Sequence, residues 1–423
     1  MSIKSILAYS FQSFYLAGSF LLLFIFLPTF YNISLGFALS TIGLVILLSR
    51  FFDVFSDIFI GYITEKRLIN GRSKKNQILL GFFIFIFSLI GLYIVQSTNI
   101  YLFIFYFNLA LFSYSIAIIP YDSIVKKKKK ISKKRFQLAT VKEIFTIAGV
   151  LAALAIPTII SKYLSLDLLN PEVIKISGYI MIFLAIFGTF IFYFFYEESI
   201  NFKSQSISLA KIILFLKNNK KISDFALITF FNLLANNFTA NLFIIFVSNY
   251  LGLKDYAGYL LILYFTITLI STPLWYFFGK TFSNMYLLQL GTIITIFGFF
   301  FVAFTSANNW ELYILVIFIT GVGIGVDLII PQIELADILD NNKDNRLSQI
   351  FTSFFSIIRK AAIGIAAGIA LTGYGYLENV GFSLILEIPN IMIFYFMMPL
   401  SIKIIVLILV MRYRSKFHVS IRG

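Results

Sequence analysis

The segment Arg50-Phe51-Phe52-Asp53-Val54-Phe55-Ser56-Asp57-Ile58-Phe59-Ile60-Gly61 sets two carboxylates four residues apart inside an otherwise apolar run. At helical pitch, positions i and i+4 lie one above the other, so Asp53 and Asp57 share a face. Two bare negative charges at that spacing repel strongly in a low-dielectric medium, and a bound cation or a shared proton removes the cost. Ionisable residues within a membrane span are expensive and face a bundle interior or a wet cavity. The pair is therefore a candidate site for a coupling ion; the alternative is a structural pairing with Arg50 at the helix end.

Around this segment the chain is apolar throughout. Its 423 residues are 60% hydrophobic and 13% charged, with 52 Phe. A spanning helix needs roughly 20 mostly apolar residues. Twelve such runs are read at about 7–31, 38–62, 77–97, 100–125, 136–161, 173–196, 222–250, 256–279, 286–306, 310–338, 347–375 and 386–411. The fold class is an all-α membrane protein of twelve transmembrane helices. Lys4 precedes a long first span with no small-residue cleavage site, which reads as a retained helix and not a signal peptide.

The net charge of +15 is placed by topology. Lys66, Arg67, Arg72, Lys74 and Lys75 follow the second span, Lys126 to Lys130 with Lys133, Lys134 and Arg135 follow the fourth, and Lys203, Lys211, Lys217, Lys220 and Lys221 follow the sixth. The turns near 32–38, 97–99 and 307–309 carry no Lys or Arg. By the positive-inside rule both termini lie in the cytoplasm, and the expected location is a bacterial inner membrane. The lysine run lacks interleaved aromatics, so it is expected to touch anionic headgroups and no nucleic-acid partner is expected.

Cysteine is absent and the lone histidine, His418, sits in the basic tail. Disulfides, thiolate chemistry, Ser-His-Asp catalysis and His-rich zinc sites are excluded, which turns the reading from enzyme to transporter. Proton traffic, where it occurs, must use carboxylates, Lys or Tyr.

The chain reads as a duplication. Ile118-Ile119-Pro120 recurs as Ile329-Ile330-Pro331, and each proline is followed fifteen residues later by an arginine, Arg135 and Arg346. Both pairs have an offset of 211, almost half the chain. Both arginines open Ala- and Gly-rich helices, at 139–153 and 361–370, suited to close approach. The expected domains are a six-helix bundle at 1–196, a cytoplasmic linker at 197–221 with a short interfacial helix from Ser208 to Leu216, and a second bundle at 222–423 with a basic tail. Moving Asp53 and Asp57 forward by 211 lands on Tyr264 and Thr268, while Lys360 maps back to Gly149. The acid pair is thus unique to the first half and the intramembrane cation to the second, and the two are expected to meet across a central cavity.

Several further matches run in order from about residue 40 to 365. Gly71-Arg72-Ser73-Lys74-Lys75 follows the acid pair. Pro120-Tyr121 lies in span four, Pro273-Leu274-Trp275 with Gly279-Lys280 ends span eight, and Ala336-Asp337 with Asp340 precedes Arg346 and Lys360. This set resembles the glycoside–pentoside–hexuronide:cation symporters of the major facilitator superfamily. The resemblance implies the major facilitator fold of two six-helix pseudo-repeats. It implies cation binding at Asp53 and Asp57, with Ser56 and Ser115 as further oxygen ligands, and Lys360 as a charge partner nearby. Tyr114 is implied in the sugar cavity. Na⁺ wants several oxygens, whereas a proton needs only the carboxylates.

Two acids that such permeases use on their sugar fall here near Ala17 and at Ile118. A stacking tryptophan is replaced by Asp122, and Lys142 beside Glu143 stands for the usual span-five arginine. Galactoside specificity is therefore not carried over. Substrate contacts are sought instead at Tyr114, Asp122, Lys142, Asn232, Asn236, Trp275 and Asp327. Asn232, Asn236, Asn237 and Asn241 cluster on span seven, with interhelical bonding as their alternative role. Asp327 either contacts solute or pairs with Lys142 or Lys403. Gly321, Gly323 and Gly325 around it read as helix-packing positions, because no strand–turn–helix context supports a nucleotide fingerprint. Arg72, Asp337, Asp340 and Arg346 form an expected gate, and Glu334 is either a second protonatable group or an interfacial acid.

The reading as a whole is a secondary transporter. It is expected to couple a small polar solute, a sugar or glycoside, to Na⁺ or H⁺ by alternating access, with no organic cofactor, as a monomer in the bilayer. A lysolipid or other amphiphile carrier on the same fold is the alternative.

Overall fold

The computed structural model describes residues 3–69, 73–125, 133–196, 220–340, 345–380 and 389–417. The described residues form twelve long helices. In chain order these are α1 Ile3–Ile33, α2 Leu39–Ile69, α3 Lys74–Val95, α4 Ile100–Val125, α5 Lys133–Leu164 and α6 Pro171–Phe195, followed by α7 Lys220–Tyr250, α8 Ala257–Phe278, α9 Asn284–Val302, α10 Glu311–Asp340, α11 Asn345–Val380 and α12 Asn390–Phe417. Eleven helices among the described residues are long and apolar enough to cross a membrane. The helix not among them is α2, which carries Arg50, Asp53 and Asp57.

The chain divides into two compact units. The first comprises Met1–Ala38 and Leu48–Ser206, the second Leu39–Leu47 and Ile207–Gly423. The segment expected as a linker, Ser208–Leu216 included, lies outside the described residues.

Four helix pairings recur in the two units. In the first, α1 packs on α5 and α6, and α3 packs on α4 and α6. In the second, α7 packs on α11 and α12, and α9 packs on α10 and α12. Pro120 and Pro331, which mark the repeat in sequence, both lie inside helices, α4 and α10. The turns after α1 and α7 both carry a left-handed glycine, Gly36 at φ +76° and Gly252 at φ +72°, a conformation that costs glycine little. A turn of wider π-helix ends α3 and α7, at Ile90–Val95 and Phe246–Tyr250, and interrupts α1 and α12, at Leu22–Phe26 and Ile393–Met397. Such insertions re-aim the side chains that follow them.

Small residues set how closely these helices cross, since lipid chains give little hydrophobic drive for helices to associate. At the α1–α5 crossing a Cβ on Gly149 would lie 1.9 Å from the Phe14 carbonyl oxygen, and one on Gly18 would lie 2.8 Å from the Gly149 oxygen. Gly321 faces Ile267 of α8, Gly323 faces Thr295 and Gly291 of α9, and Gly325 faces Ser271 of α8. The three glycines of α10 are packing positions, as their sequence context indicates. Gly149→Ala must push α1 and α5 apart, an overpacking cost of about 1–3 kcal/mol. A Cβ on Gly61, by contrast, would meet nothing within 4 Å. The expected result in detergent is a lowered unfolding midpoint for Gly149→Ala and an unchanged or slightly raised one for Gly61→Ala.

Candidate functional site

Helix α2 is apolar outward and polar inward. Phe51, Phe52, Phe55 and Phe59 are exposed, while Asp53, Ser56, Ile60 and Thr64 are buried at helical spacing. That pattern reverses the usual soluble amphipathic helix and turns the acid face toward the first bundle's interior. Asp53 is 2% exposed and Arg50 is 2% exposed. Asp57 is half-buried, one turn further on.

Arg50 and Ser115 both donate to the Asp53 carboxylate. Arg50 Nη1 donates to Oδ2 at 3.1 Å, one helical turn back. Ser115 of α4 donates to Oδ1 at 3.0 Å from 62 residues away. Ser56 donates instead to the Asp53 backbone oxygen at 2.9 Å, so its hydroxyl proton is turned from the carboxylate. The Arg50 guanidinium lies 4.0 Å from the Phe24 ring centroid and 5.2 Å from that of Phe20. Phe20 in turn meets Tyr114 at 5.1 Å. Arg50 Nε and Nη2 have no protein hydrogen-bond partner among the described residues.

The arrangement changes the electrostatic argument made from the sequence. Asp53 and Asp57 are not two bare negative charges, because Arg50 neutralises one of them at contact distance. The three side chains together carry a formal charge of −1. The structural pairing of Asp53 with Arg50 does not by itself exclude an ion-binding role for the pair.

Elsewhere in the first unit, Tyr121 is locked to Tyr9. Their rings stack at 4.2 Å, each hydroxyl donates to the other residue's backbone oxygen at 2.9 and 2.8 Å, and Ser13 joins the Tyr121 hydroxyl at 2.8 Å. Lys142 lies over the Tyr121 ring, 5.4 Å from its centroid. The side chains of Asp122, Asp340 and Arg346, and Arg72 altogether, lie outside the described residues. The expected gate is therefore represented by Asp337 alone. Asp337 accepts from Asn284 at 2.8 Å, and the same amide reaches Glu334 at 3.0 Å. Tyr413 also donates to Glu334, at 3.2 Å. Asn284 and Tyr413 carry no signal in the sequence that would have nominated them.

The second unit contains a buried cluster of its own. Lys403 of α12 is fully buried and donates to Asp327 of α10 at 2.9 Å and to Asn232 of α7 at 2.7 Å. Asn236, one turn along from Asn232, donates to the same Asp327 oxygen at 2.9 Å. Of the alternatives for Asp327, the partner is Lys403. Asn237 and Asn241 bond backbone oxygens of their own helix, so the span-seven asparagines separate into two facing the cluster and two that do not. Trp275 donates to the Val322 backbone oxygen at 2.9 Å and packs in the core between α8 and α10. Lys360 lies half-buried on α11.

Comparison with known proteins agrees with this architecture. A family model described as MFS/sugar transport protein matches residues 9–415. A crystal structure of an aspartate-to-alanine mutant of the nucleoside transporter NupG superposes with a TM-score of 0.73 at 14% identity, covering 97% of this chain and 100% of that one. A second structure of nucleoside transporter NupG gives 0.68 at 14% identity, covering 99% of each chain. At such identity the likeness speaks for the fold alone. A search of curated proteins found no match. With the family model spanning nearly the whole chain, this is an integral membrane protein of the MFS/sugar transport protein family, a secondary transporter and not an enzyme.

Proposed function

We propose that this transporter couples uptake of a small polar solute, a sugar or glycoside, to the downhill movement of one Na⁺ or H⁺ held at Asp53 and Asp57. The observation that supports this most is the buried Asp53 carboxylate, met by Arg50 on one oxygen and by Ser115 on the other, in a triad with a formal charge of −1. A carboxylate with an adjacent hydroxyl and a second carboxylate one turn away offers the hard oxygen donors that Na⁺ prefers. It also offers an acceptor for a proton. Arg50 offsets one of the two carboxylates, so that one monovalent cation brings the formal charge of these three side chains to zero. The resemblance of residues 40–365 to the cation symporters adds the expectation that coupling and not passive diffusion is the mode. The cytoplasmic termini and the inner-membrane location follow from the basic loops and belong to the same proposal.

Ligand binding to the folded state raises apparent stability by about 2.7 kcal/mol at a hundredfold excess over Kd. In a thermal-shift screen of neutral sugars, sugar acids and nucleosides with and without Na⁺, and at two pH values, ion and solute together are expected to stabilise more than the sum of either alone. Strictly additive shifts for every solute would reject coupling at the level of binding.

A further inference from the structure

The Asp327 cluster lies wholly in the second unit and serves no function in the ion-site argument. Its pattern of satisfied and unsatisfied atoms is uneven. Asp327 Oδ2 accepts from both Lys403 and Asn236, while Asp327 Oδ1, although its side chain is only 4% exposed, has no protein partner among the described residues. Asn236 Oδ1 and Thr239 Oγ1 are likewise buried and unmet. The Asn236 amide orientation is fixed by chemistry, because its Nδ2 must face the acceptor-only carboxylate. Asn232, Asn236 and Thr239 fall on one face of α7 at spacings of four and three residues. Two turns beyond Asn236 on that face, the ring of Phe243 meets that of Tyr264 at 6.4 Å. A buried unmet acceptor costs about the desolvation of the group, so two such acceptors on residues bonded to each other ask for donors.

We propose that Asp327, Asn236 and Thr239, ordered by Lys403 and Asn232, form the solute-recognition site of this transporter and take a neutral solute bearing adjacent hydroxyl groups. A pair of neighbouring O–H donors, on a sugar ring or on the ribose of a nucleoside, meets Asp327 Oδ1 and Asn236 Oδ1 together, and the tilted rings of Phe243 and Tyr264 offer aromatic surface further along the same helix face. A sugar acid or phosphate is disfavoured. It brings acceptors and negative charge to unmet acceptors, and Lys403 is already engaged by Asp327 and Asn232. The proposal rests on the transport reading only for the word solute; the site itself is a binding claim.

The test is equilibrium binding to the purified full-length protein in detergent, with no ion gradient. The probes are glucose, galactose, xylose and their methyl glycosides, uridine and adenosine, glucuronate and galacturonate, and NaCl alone. Binding of at least one neutral probe, at least tenfold tighter than its acid counterpart and weakened at least tenfold by Asn236→Ala, is the expected result. Asn237→Ala, whose amide bonds its own helix, should bind as the unsubstituted protein does. Preference for glycosides or for nucleosides separates the two sources of the diol, and either supports the site. Binding of the acids as tightly as the neutral probes, no binding by any neutral probe, or full affinity in Asn236→Ala overturns it. A protein that binds yet never accumulates solute in vesicles removes the coupled-transport reading and leaves this site standing. One that accumulates a neutral sugar undiminished by Asn236→Ala does the reverse.

Discussion

Asp53→Asn is expected to destroy both concentrative uptake and a measurable part of the fold's stability, whereas Asp57→Asn should destroy the first and largely spare the second. The difference comes from Arg50. Its guanidinium is buried, and Asp53 provides its charged hydrogen-bond partner at 3.1 Å. Removing one member of a buried ion pair leaves the other charge uncompensated, at a cost of about 3–5 kcal/mol. The aromatic faces of Phe24 and Phe20 recover part of this through cation–π attraction, on the order of 1–2 kcal/mol when desolvated. Asp57 lies one turn beyond the contact pair, and its amide replacement keeps shape while removing the negative charge proposed to bind the cation. Unfolding midpoints and gradient-driven uptake, measured on both variants, check the prediction. Equal loss of stability in the two would place Asp57 in the structural pairing as firmly as Asp53.

The second large effect belongs to Lys403. Lys403→Met leaves Asp327 buried beside two amides without a cation, and a loss of about 3–5 kcal/mol is expected, enough to reduce the folded yield in membranes. The double variant Lys403→Met with Asp327→Leu removes both charges together. Replacing a buried pair by apolar groups of similar volume is close to neutral, so the double variant should recover most of the lost stability. It should not recover solute binding, because the acceptor oxygens leave with the aspartate. Thermal unfolding read alongside binding separates these outcomes. A double variant as unstable as the single one would mean that the pair's geometry, and not its charge balance, holds α10 and α12 together.

Hydropathy and spacing carry most of the fold. The apolar runs, the Pro120 and Pro331 repeat and the glycines at 321–325 each correspond to a helix, a matching position or a crossing in the structure, because membrane helices are specified by local composition and small-residue contacts. The sites are only half readable. Asp53 and Asp57 announce themselves because charge in an apolar run is costly, yet nothing local says whether Arg50 serves as a helix-end anchor or as the partner of Asp53. Both lie on the same face, at i+3 and i+7 from it, and the choice is made by rotamers. Lys403 is visible as a cation in an apolar span, but its partners are 76 and 171 residues away on two other helices. Long-range pairing of that kind leaves no periodic trace. Ser115 is reached through family resemblance and not from its own surroundings, and Trp275 proves to bond a helix backbone in the core. Asn284 and Tyr413, which hold Glu334, look like any polar residues near helix ends.

The central claim is that one monovalent cation at the Asp53–Asp57 triad drives accumulation. The most direct measurement reconstitutes the protein and its Asp57→Asn variant in liposomes and follows a bound neutral solute under an imposed Na⁺ or H⁺ gradient, and then as solute counterflow with no gradient. Accumulation by the unsubstituted protein under one of the two gradients, its abolition in Asp57→Asn, and surviving counterflow in that variant are the expected results. Full accumulation by Asp57→Asn, or uptake by the unsubstituted protein that ignores both gradients, would contradict the claim.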